Sequence, residues 1–244
     1  MHQRFRVLAV ATVTAIAAGG LGGCGALDRD KAFEDDHAVP GKLTSVRIDN
    51  QNGGVEVRGT EGGTKVSVHR HVSYRGDRPE SPTYRVENGA LVLAGCGDRC
   101  SVDYTVDVPA NLPVTGSTTN GDVELSAVGA VKVSTSNGSV TVDGSTGQVG
   151  LRTTNGDVEA KGLKGGGARA ETTNGSVSIA PAAAQNVWAK TTNGDVTVTA
   201  PTGPYRVSTR VDSGSRHISV PSDPSAAHTL DLTTSSGDIT VRAE

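Results

Sequence analysis

The stretch Thr118-Thr119-Asn120-Gly121-Asp122-Val123 decides the fold, because the chain repeats it. Four close copies begin at Thr135, Thr153, Thr172 and Thr191, and two weaker copies follow. Spacings between successive glycines of the motif are 17, 18, 19, 19, 20 and 23 residues. Self-similarity at a period of this size predicts a repeat architecture. The aligned glycines are Gly121, Gly138, Gly156, Gly175, Gly194, Gly214 and Gly237.

Two arrangements of the repeats are compatible with the motif. A β-meander would use each Asn-Gly as a hairpin turn, whereas a β-solenoid would use it as the corner of one coil, with coils stacked about 4.8 Å apart. Stacking explains why whole columns of residues are alike. We therefore predict an all-β fold, a right-handed parallel β-helix or β-solenoid with coils of about 19 residues. The predicted structural turn residues are Asn120, Gly121, Asn137, Gly138, Asn155, Gly156, Asn174, Gly175, Asn193, Gly194, Gly214 and Gly237.

The residue after each glycine alternates between Asp and Ser along the chain. If the coils stack in chain order, each Ser separates two Asp carboxylates that would otherwise lie about 5 Å apart and repel by about 1 to 4 kcal/mol. The copy at Gly214 is irregular, because Arg216 occupies the Val column unless two extra turn residues place Ile218 and Val220 there instead. The alternating residues are Asp122, Ser139, Asp157, Ser176, Asp195, Ser215 and Asp238.

Composition and spacing divide the rest of the chain. The 244 residues include 32 glycines, only 3 % are aromatic, and Val and Thr are abundant, which favours strands and tight turns over helices. Residues 114–244 form the predicted repetitive solenoid, and residues 42–113 form irregular first coils or a cap, because their turns are unevenly spaced. The net charge of −3 gives no indication of nucleic acid as a partner.

The N-terminal segment has the pattern of a targeting signal. Arg4 and Arg6 precede the apolar run 7–18, which is too short to span a bilayer. The following Leu21-Gly22-Gly23-Cys24 resembles the lipobox of bacterial lipoproteins. This resemblance implies a signal peptide at residues 1–23, lipidation at Cys24 and attachment to the extracytoplasmic face of the bacterial cell membrane. An ordinary secretory signal is the alternative. The charged residues 24–41 show no strand pattern and predict a flexible tether.

Two side-chain pairs in residues 42–113 suggest chemistry. Cys96 and Cys100 lie between two predicted strands, and a disulfide is permitted outside the cell. We predict that they form one, in preference to a metal pair or a redox site. His69 and His71 lie on one face of a predicted strand. They are either a metal pair without a third ligand or two exposed histidines, and we predict no metal.

Several segments together resemble a known family. They are Tyr74-Arg75-Gly76-Asp77-Arg78-Pro79, residues 86–93, residues 101–109 and the serial Asn-Gly-Asp or Ser-Gly-Asp turns. The chain is similar to the adhesin-like family of bacterial β-strand-repeat lipoproteins that carries the domain of unknown function 4097. The resemblance covers nearly all of residues 42–244. It implies an adhesin-like surface without catalytic residues or cofactors.

A search for other chemistry leaves three possibilities. The predicted aspartates lie in a row along one edge and do not converge in a cleft, as catalytic groups must. This arrangement favours a role as hydrogen-bond acceptors in the turns over catalysis for Asp122, Asp157, Asp195 and Asp238. One Asp in every second coil also supplies few oxygens for calcium. A sugar site would be sought at Trp188 or Tyr205, although Trp188 could instead cover a wide part of its coil.

We therefore predict a non-enzymatic surface lipoprotein that serves as an interaction or structural scaffold. Its partners would be the membrane, through the anchor, and an unknown envelope protein or glycan. The alternatives are a β-helix carbohydrate-active enzyme and an accessory envelope-stress sensor.

Overall fold

The computed structural model of the protein describes residues 30–80 and 82–244. Every regular element in these ranges is a β-strand, and none is a helix that could cross a membrane. The predicted signal peptide 1–23 and Cys24 lie outside the described residues. The strands are β1 Lys31–Val39, β2 Ser45–Asp49, β3 Val55–Thr60, β4 Val66–Tyr74, β5 Tyr84–Glu87, β6 Ala90–Ala94, β7 Cys100–Pro109, β8 Val114–Ser117, β9 Val123–Val128, β10 Val131–Ser134, β11 Val140–Ser145, β12 Val149–Arg152, β13 Val158–Leu163, β14 Ala168–Glu171, β15 Val177–Pro181, β16 Val187–Asn193, β17 Val196–Ala200, β18 Arg206–Ser213, β19 Arg216–Ile218, β20 Thr229–Ser236 and β21 Ile239–Ala243.

The strands form two sheets that are mostly parallel, which confirms the predicted β-solenoid. Each coil contributes one strand to each sheet, for example β10 and then β11. The eleven-stranded sheet has the order β1-β4-β7-β3-β9-β11-β13-β15-β17-β21-β19. The ten-stranded sheet has the order β18-β20-β16-β14-β12-β10-β8-β2-β6-β5. The right-handed sense of the coils stays a prediction.

A thin core runs between the two sheets because side chains alternate along each strand. In β11, for example, Val140 and Val142 are fully buried. Val140 lies in register with Val123 on one side and Val158 on the other. Columns of β-branched and small apolar residues thus replace the single bulky core of a globular domain, and each coil is stabilised by its two neighbours.

At the N-terminal end, the coils do not follow chain order. The coil β2–β3 lies between the coil β6–β7 and the coil β8–β9. β4 and β1 extend the eleven-stranded sheet in antiparallel orientation, and β5 extends the ten-stranded one. Cys96 and Cys100 form a disulfide in the connection between β6 and β7, with their Cα atoms 5.5 Å apart. Residues 42–113 therefore contain two true coils and two strands of the cap, β4 and β5, while β1 precedes them in the chain.

The prediction of a flexible tether is wrong for residues 31–39, which form β1. This strand pairs with β4 over its whole length. Its acidic residues suggested a solvated linker, but they lie opposite basic residues of β4: Glu34 opposite His71, Asp35 opposite Arg70 and Asp36 opposite His69. Complementary cross-strand charges therefore hold a segment that has few apolar residues of its own.

At the C-terminal end, the last two coils exchange places. β20 lies between β16 and β18, and β21 lies between β17 and β19. The coil β18–β19 is thus the terminal one, although the coil β20–β21 comes later in the chain. Arg216 lies in register with Ile239, so it does occupy the Val column without extra turn residues. It is exposed there because no further coil covers it.

Candidate functional site

The corners at the ends of six strands of the ten-stranded sheet, β2, β8, β10, β12, β14 and β16, form a hydrogen-bonded ladder. Asn52 and the five motif asparagines stack in one column of parallel bridges. Each of the five motif side-chain amides donates to the amide oxygen of the asparagine in the neighbouring coil on the N-terminal side, at distances of 2.8 to 2.9 Å, and Asn52 is the first acceptor. The Asn column of the sequence therefore has a structural cause. Its members are Asn52, Asn120, Asn137, Asn155, Asn174 and Asn193.

The threonine column satisfies backbone carbonyl groups inside the same corner. Thr153, for example, is 1 % exposed, and its hydroxyl donates to the Gly138 carbonyl oxygen at 2.8 Å. Thr135, Thr172, Thr191 and Thr234 repeat this bond to the glycine of the neighbouring coil.

Thr118 departs from this pattern. Asn50, which lies in the threonine column of the coil β2–β3, already donates to the Gly53 carbonyl at 3.1 Å. Among the described residues, the Thr118 hydroxyl and the Asn50 Oδ1 are the buried side-chain atoms without a partner.

The glycines of the motif are required by both conformation and space. Gly138 has φ of +141° and Gly156 has φ of +145°, a region that residues with a side chain rarely adopt. A Cβ atom at Gly156 would also overlap the carbonyl group of Gly138 in the coil beside it. The ladder therefore excludes side chains at these positions, which explains why the glycine column is unbroken.

The residue after each glycine accepts a hydrogen bond from the next coil. Asp122 Oδ1 accepts the backbone N–H of Ser139 at 2.7 Å, and Asp157 Oδ1 accepts that of Ser176 at 2.8 Å. The Ser139 hydroxyl accepts the N–H of Asp157 at 3.2 Å. The aspartates thus serve as turn acceptors, and no three His, Cys, Asp or Glu side chains of the described residues are placed to hold a metal ion.

The expected spatial alternation of Asp and Ser is wrong at one position. Because the coil β20–β21 is inserted beside β16–β17, Asp195 and Asp238 are neighbours, and Asp195 Oδ1 accepts the N–H of Asp238 at 2.8 Å. Asp238 in turn accepts the N–H of Ser215 at 2.8 Å. The shared role of this column is therefore to accept a backbone N–H of the neighbouring coil, and not to separate the carboxylates.

The outer face of the ten-stranded sheet carries one cation per coil over four successive coils. We call Lys132, Arg152, Arg169 and Lys190 the basic face. All four side chains are exposed. Lys132 and Arg169 belong to one column, with Gly150 between them. Arg152 and Lys190 belong to the column two residues further along the strands, with Glu171 between them.

The opposite face of the same coils has a different charge. The eleven-stranded sheet exposes Asp143, Glu159 and Lys161 there, and Lys161 lies 3.4 Å from Asp143; Glu124 is exposed on the same sheet in the preceding coil, β8–β9. Over these four coils, the ten-stranded sheet therefore has a clear excess of positive charge, whereas the eleven-stranded sheet has a small excess of negative charge. A charged polymer would therefore meet a different electrostatic potential at each of the two faces.

A shallow trough lies within the basic face. It has a volume of about 470 Å³ and includes Thr115, Gly116, Lys132 and Gly150 in its lining. A second hollow of about 330 Å³ continues it and shares Thr115, Lys132, Gly150 and Arg169. The trough exists in part because Gly150, in the outward column between Lys132 and Arg169, carries no side chain.

The two aromatic residues considered for sugar binding lie in different surroundings. Tyr205 is 1 % exposed, and its hydroxyl donates to the Pro201 carbonyl at 2.9 Å, so it is part of the core. Trp188 is half-buried on the outer face, with the Arg169 guanidinium carbon 3.5 Å from its ring centroid. Trp188 therefore fixes the position of a cation at the edge of the trough.

Another cavity lies at the N-terminal end, and side chains that pair with one another line it. It measures about 740 Å³ and is lined in part by Phe33, Asp35, Arg70, Arg78 and Tyr84. Arg70 donates to Asp35 at 2.7 Å and to the Thr83 hydroxyl at 2.8 Å, while Arg78 stacks on Phe33. These side chains are therefore engaged in contacts that stabilise the cap.

The histidines considered as a metal pair contact β1 instead. Nδ1 of His69 lies 2.9 Å from Asp36, and Nδ1 of His71 lies 2.9 Å from Glu34. Both pairs are on the exposed side of β4. They belong to the cross-strand contacts that hold β1.

Several carboxyl groups have a shifted pKa, and each shift is downward. The hydrogen-bonded guanidinium of Arg70 lowers the pKa of Asp35, and those of Arg75 and Arg85 lower the pKa of Asp30 and Glu87. The hydroxyl and backbone N–H of Ser225 lower the pKa of Asp223. A general acid requires the opposite shift.

The basic face was not predicted from the sequence, although a signal was present. When the coils are aligned on their buried threonine, each of four successive copies has a cation one or three residues before it: Lys132, Arg152, Arg169 and Lys190. The signal was diluted because these cations alternate between two columns. The overall charge of −3 also concealed it, since the opposite face is acidic.

Known proteins provide a comparison for the described fold. No curated protein shows significant similarity to the chain. It is similar to solved structures of a candidate cell adhesion protein from Clostridium sporogenes (11% identity, 88% of this chain, 100% of that chain, TM-score 0.37) and of a candidate adhesin from Bacteroides fragilis (12% identity, 88% and 97%, TM-score 0.44). A third is a candidate adhesin from Parabacteroides merdae (11% identity, 88% and 96%, TM-score 0.43).

The sequence profile of the Toastrack family DUF4097 matches residues 99–242, more than half of the chain. These residues include the coils from β8 to β21 with their Asn-Gly corners. The chain belongs to the Toastrack family DUF4097.

Proposed function

We propose that the protein is a non-enzymatic, adhesin-like scaffold of the bacterial envelope, attached to the extracytoplasmic face of the membrane by a lipid at Cys24. In this proposal, the stacked coils hold a flat binding surface away from the membrane. The observation that carries the proposal is the basic face, where four cations project from four successive coils of one sheet.

The physical properties of the corners support a role in binding. The Asn and Thr ladders bond the coils from β8–β9 to β16–β17 to their neighbours, so outward side chains are held at regular intervals. Preorganised surfaces bind with less loss of conformational entropy than flexible ones. The downward pKa shifts of Asp35 and Glu87 also favour ion pairing over acid catalysis as the role of these groups.

Binding to envelopes tests the proposal directly. The full chain carrying Cys24→Ser would be mixed with washed bacterial envelopes and sedimented. We expect saturable binding with no release of soluble sugar. Absence of binding would contradict the scaffold function, and steady release of reducing sugar would indicate a carbohydrate-active enzyme instead.

A second experiment tests the anchor independently. Wild-type protein and the Cys24→Ser variant would be compared by membrane fractionation and by incorporation of labelled fatty acid. We expect the variant to lose both labelling and membrane attachment, because acyl chains contribute about 0.8 kcal/mol per buried CH₂ group. Equal attachment of the two proteins would contradict lipidation at Cys24.

A further inference from the structure

We propose that the trough in the basic face binds an extended anionic polysaccharide of the envelope, with its chain parallel to the solenoid axis. This inference rests on the proposed function, since it names the chemical class of the partner. It requires that the cations are available, that their spacing suits a polymer, and that the surface between them can accept sugar rings.

The cations are available because few internal partners compete for them. In the described part of the chain, Lys132 and Lys190 form no ion pair. Arg169 stacks on Trp188, which orients the guanidinium plane while leaving its edge for hydrogen bonds. Arg152 lies 3.5 Å from Glu171, but its side chain is 67% exposed, and such pairs are weak.

The spacing of the cations suits a regular linear polymer. Adjacent coils lie about 4.8 Å apart, so Lys132 and Arg169, two coils apart in one column, are separated by about 9.6 Å along the axis. Arg152 and Lys190 repeat this interval in the second column, displaced by one coil. A polysaccharide in an extended conformation presents a charge at a comparable interval when every second sugar is acidic.

The surface between the cations suits sugar rings. Gly150 leaves the centre of the trough without a side chain, while the hydroxyl groups of Thr115, Ser117 and Ser134 line it. Glu171 also lines the trough, on the side of Arg152. The two hollows form one continuous and open depression because they share Lys132 and Gly150. Hydroxyl groups and ordered cations are the groups that bind hydroxylated, anionic chains, and an open trough permits a polymer to enter from its side.

Other extended partners fit this surface less well. A peptide strand would require a free sheet edge for its backbone hydrogen bonds, whereas the trough lies on the face of a sheet. A nucleic acid would require a larger positive surface, and the corner beside the basic face carries exposed carboxylates such as Asp157 and Asp195. The trough therefore favours a polymer with sparse charge.

Affinity electrophoresis and calorimetry of the full chain carrying Cys24→Ser test the inference. The probes are hyaluronan, with one carboxylate per disaccharide, poly(glycerol phosphate), with phosphodiester charges, and neutral dextran. We expect binding to hyaluronan that weakens with salt, and no binding to dextran. Binding to poly(glycerol phosphate) alone, which has no sugar rings, would overturn the proposal. The anionic probe that binds with the higher affinity identifies carboxylate or phosphate as the preferred charged group. Equal binding to dextran would overturn the proposal.

Two variants separate a built site from general charge attraction. The double variant Lys132→Gln and Arg169→Gln removes one column of cations, and we expect about tenfold weaker binding. Gly150→Leu keeps every charge but fills the trough, and it is compatible with the fold, since a Cβ atom there has no neighbour closer than 3.8 Å. We expect Gly150→Leu to weaken binding at least as much.

Lys161→Gln, on the opposite sheet, is the matched control and should bind like the parent protein. If Gly150→Leu binds as tightly as the parent, attraction is only electrostatic and the trough is not a site. If the double variant and Gly150→Leu still bind envelopes normally, the scaffold function stands and this polysaccharide site is excluded. If the parent protein itself does not bind envelopes, that result would instead contradict the proposed function.

Discussion

The two ends of the solenoid are closed by different means. At the N-terminal end, three antiparallel strands are added, β1 and β4 to one sheet and β5 to the other. At the C-terminal end no element is added, and the coil β18–β19 forms the terminus itself. There Arg216 replaces the usual valine and Ile218 is 41% exposed. The last coil of any stack meets water on one side, so its residues must differ from those of the interior coils.

The difference shows two ways to terminate a stack of identical ladders. The N-terminal cap has its own polar interior, where Asp35, Arg70, Thr83 and Tyr104 form hydrogen bonds. Burial raises the pKa of Tyr104 to about 12. The C-terminal end instead changes side chains within an ordinary coil and inserts the final coil beneath it. The first solution depends on specific contacts, whereas the second depends on the order of the coils.

The largest expected effect comes from removing the inserted coil. Truncation after Pro221 deletes β20 and β21, whose Leu230, Leu232, Ile239 and Val241 are fully buried. Each such side chain contributes about 1.5–3 kcal/mol by burial. We expect a large loss of thermal stability and loss of amide protection in β18 and β19.

Deletion of residues 30–39, which removes β1 alone, should cost much less and is the control. If β18 and β19 stay protected after the truncation, they have paired directly with β16 and β17. In that case the order of the coils matters less than we infer.

Substitution of corner glycines should distinguish an interior coil from the terminal one. Gly156→Ala introduces a Cβ atom that overlaps the Gly138 carbonyl between two fixed coils, and we expect it to cost about 3 kcal/mol. Gly214→Ala meets the Gly237 carbonyl, but its coil has a neighbour on one side only and can move outward, so about 1–2 kcal/mol is expected.

The measurement is the free energy of unfolding in denaturant. Gly203→Ala reports backbone strain alone, because φ is +153° there and no atom lies within 4 Å of the added Cβ. Equal costs at Gly156 and Gly214 would show that the terminal coil is as rigid as the interior.

At the N-terminal cap, Asp35→Ala should destabilise the protein by about 2–3 kcal/mol, because it leaves the buried guanidinium of Arg70 without its carboxylate. Asp36→Ala is the matched control and should change stability by less than about 1 kcal/mol, because Asp36 is 84% exposed. Denaturant unfolding measures both.

The Asp35 pair also predicts a pH dependence. Arg70 lowers the pKa of Asp35 in the folded protein below the ordinary value of 3.8. The stabilisation is therefore complete above that value and is lost as the pH falls through the lower folded pKa. The loss of stability on acidification from about pH 5 to about pH 2 should be smaller in Asp35→Ala than in the parent protein, because the variant lacks this carboxylate. Denaturant unfolding at a series of pH values measures the difference. An equal loss of stability in the variant and in the parent protein would show that the Asp35–Arg70 pair does not stabilise the cap.

The smallest effect on stability is expected for Arg216→Val at the C-terminal end, within about 0.5 kcal/mol. The substitution restores the apolar column on an uncovered coil, however, so it should increase self-association. Sedimentation velocity over a range of concentrations measures this, with Arg206→Val on the outer face of the same coil as the control. No change in association would mean that Arg216 does not protect the bare end.

The sequence predicted the repeat but not the order of its parts. Asn120, Gly121 and their equivalents indicated stacked corners because each column has one physical requirement. Nothing local distinguishes insertion of the coil β20–β21 from simple addition, since Ile239 suits a neighbour on either side. Arg216 was the one visible sign of a coil that faces water. β1 was missed because its stability comes from charges on β4, 33 to 37 residues away, and not from an apolar pattern.

The exchanged coils restrict the order in which the molecule can be assembled during synthesis. From β8 to β17 each coil can dock on the one made just before it, over 17 to 19 residues of sequence. The coil β18–β19 has no final position until β20 and β21 leave the ribosome, because Asp195 and Asp238, which become neighbours, are 43 residues apart. Contacts over longer separations form more slowly. A chain that stops early therefore leaves β16 and β17 as open edges, and completion of the final coil is what closes them.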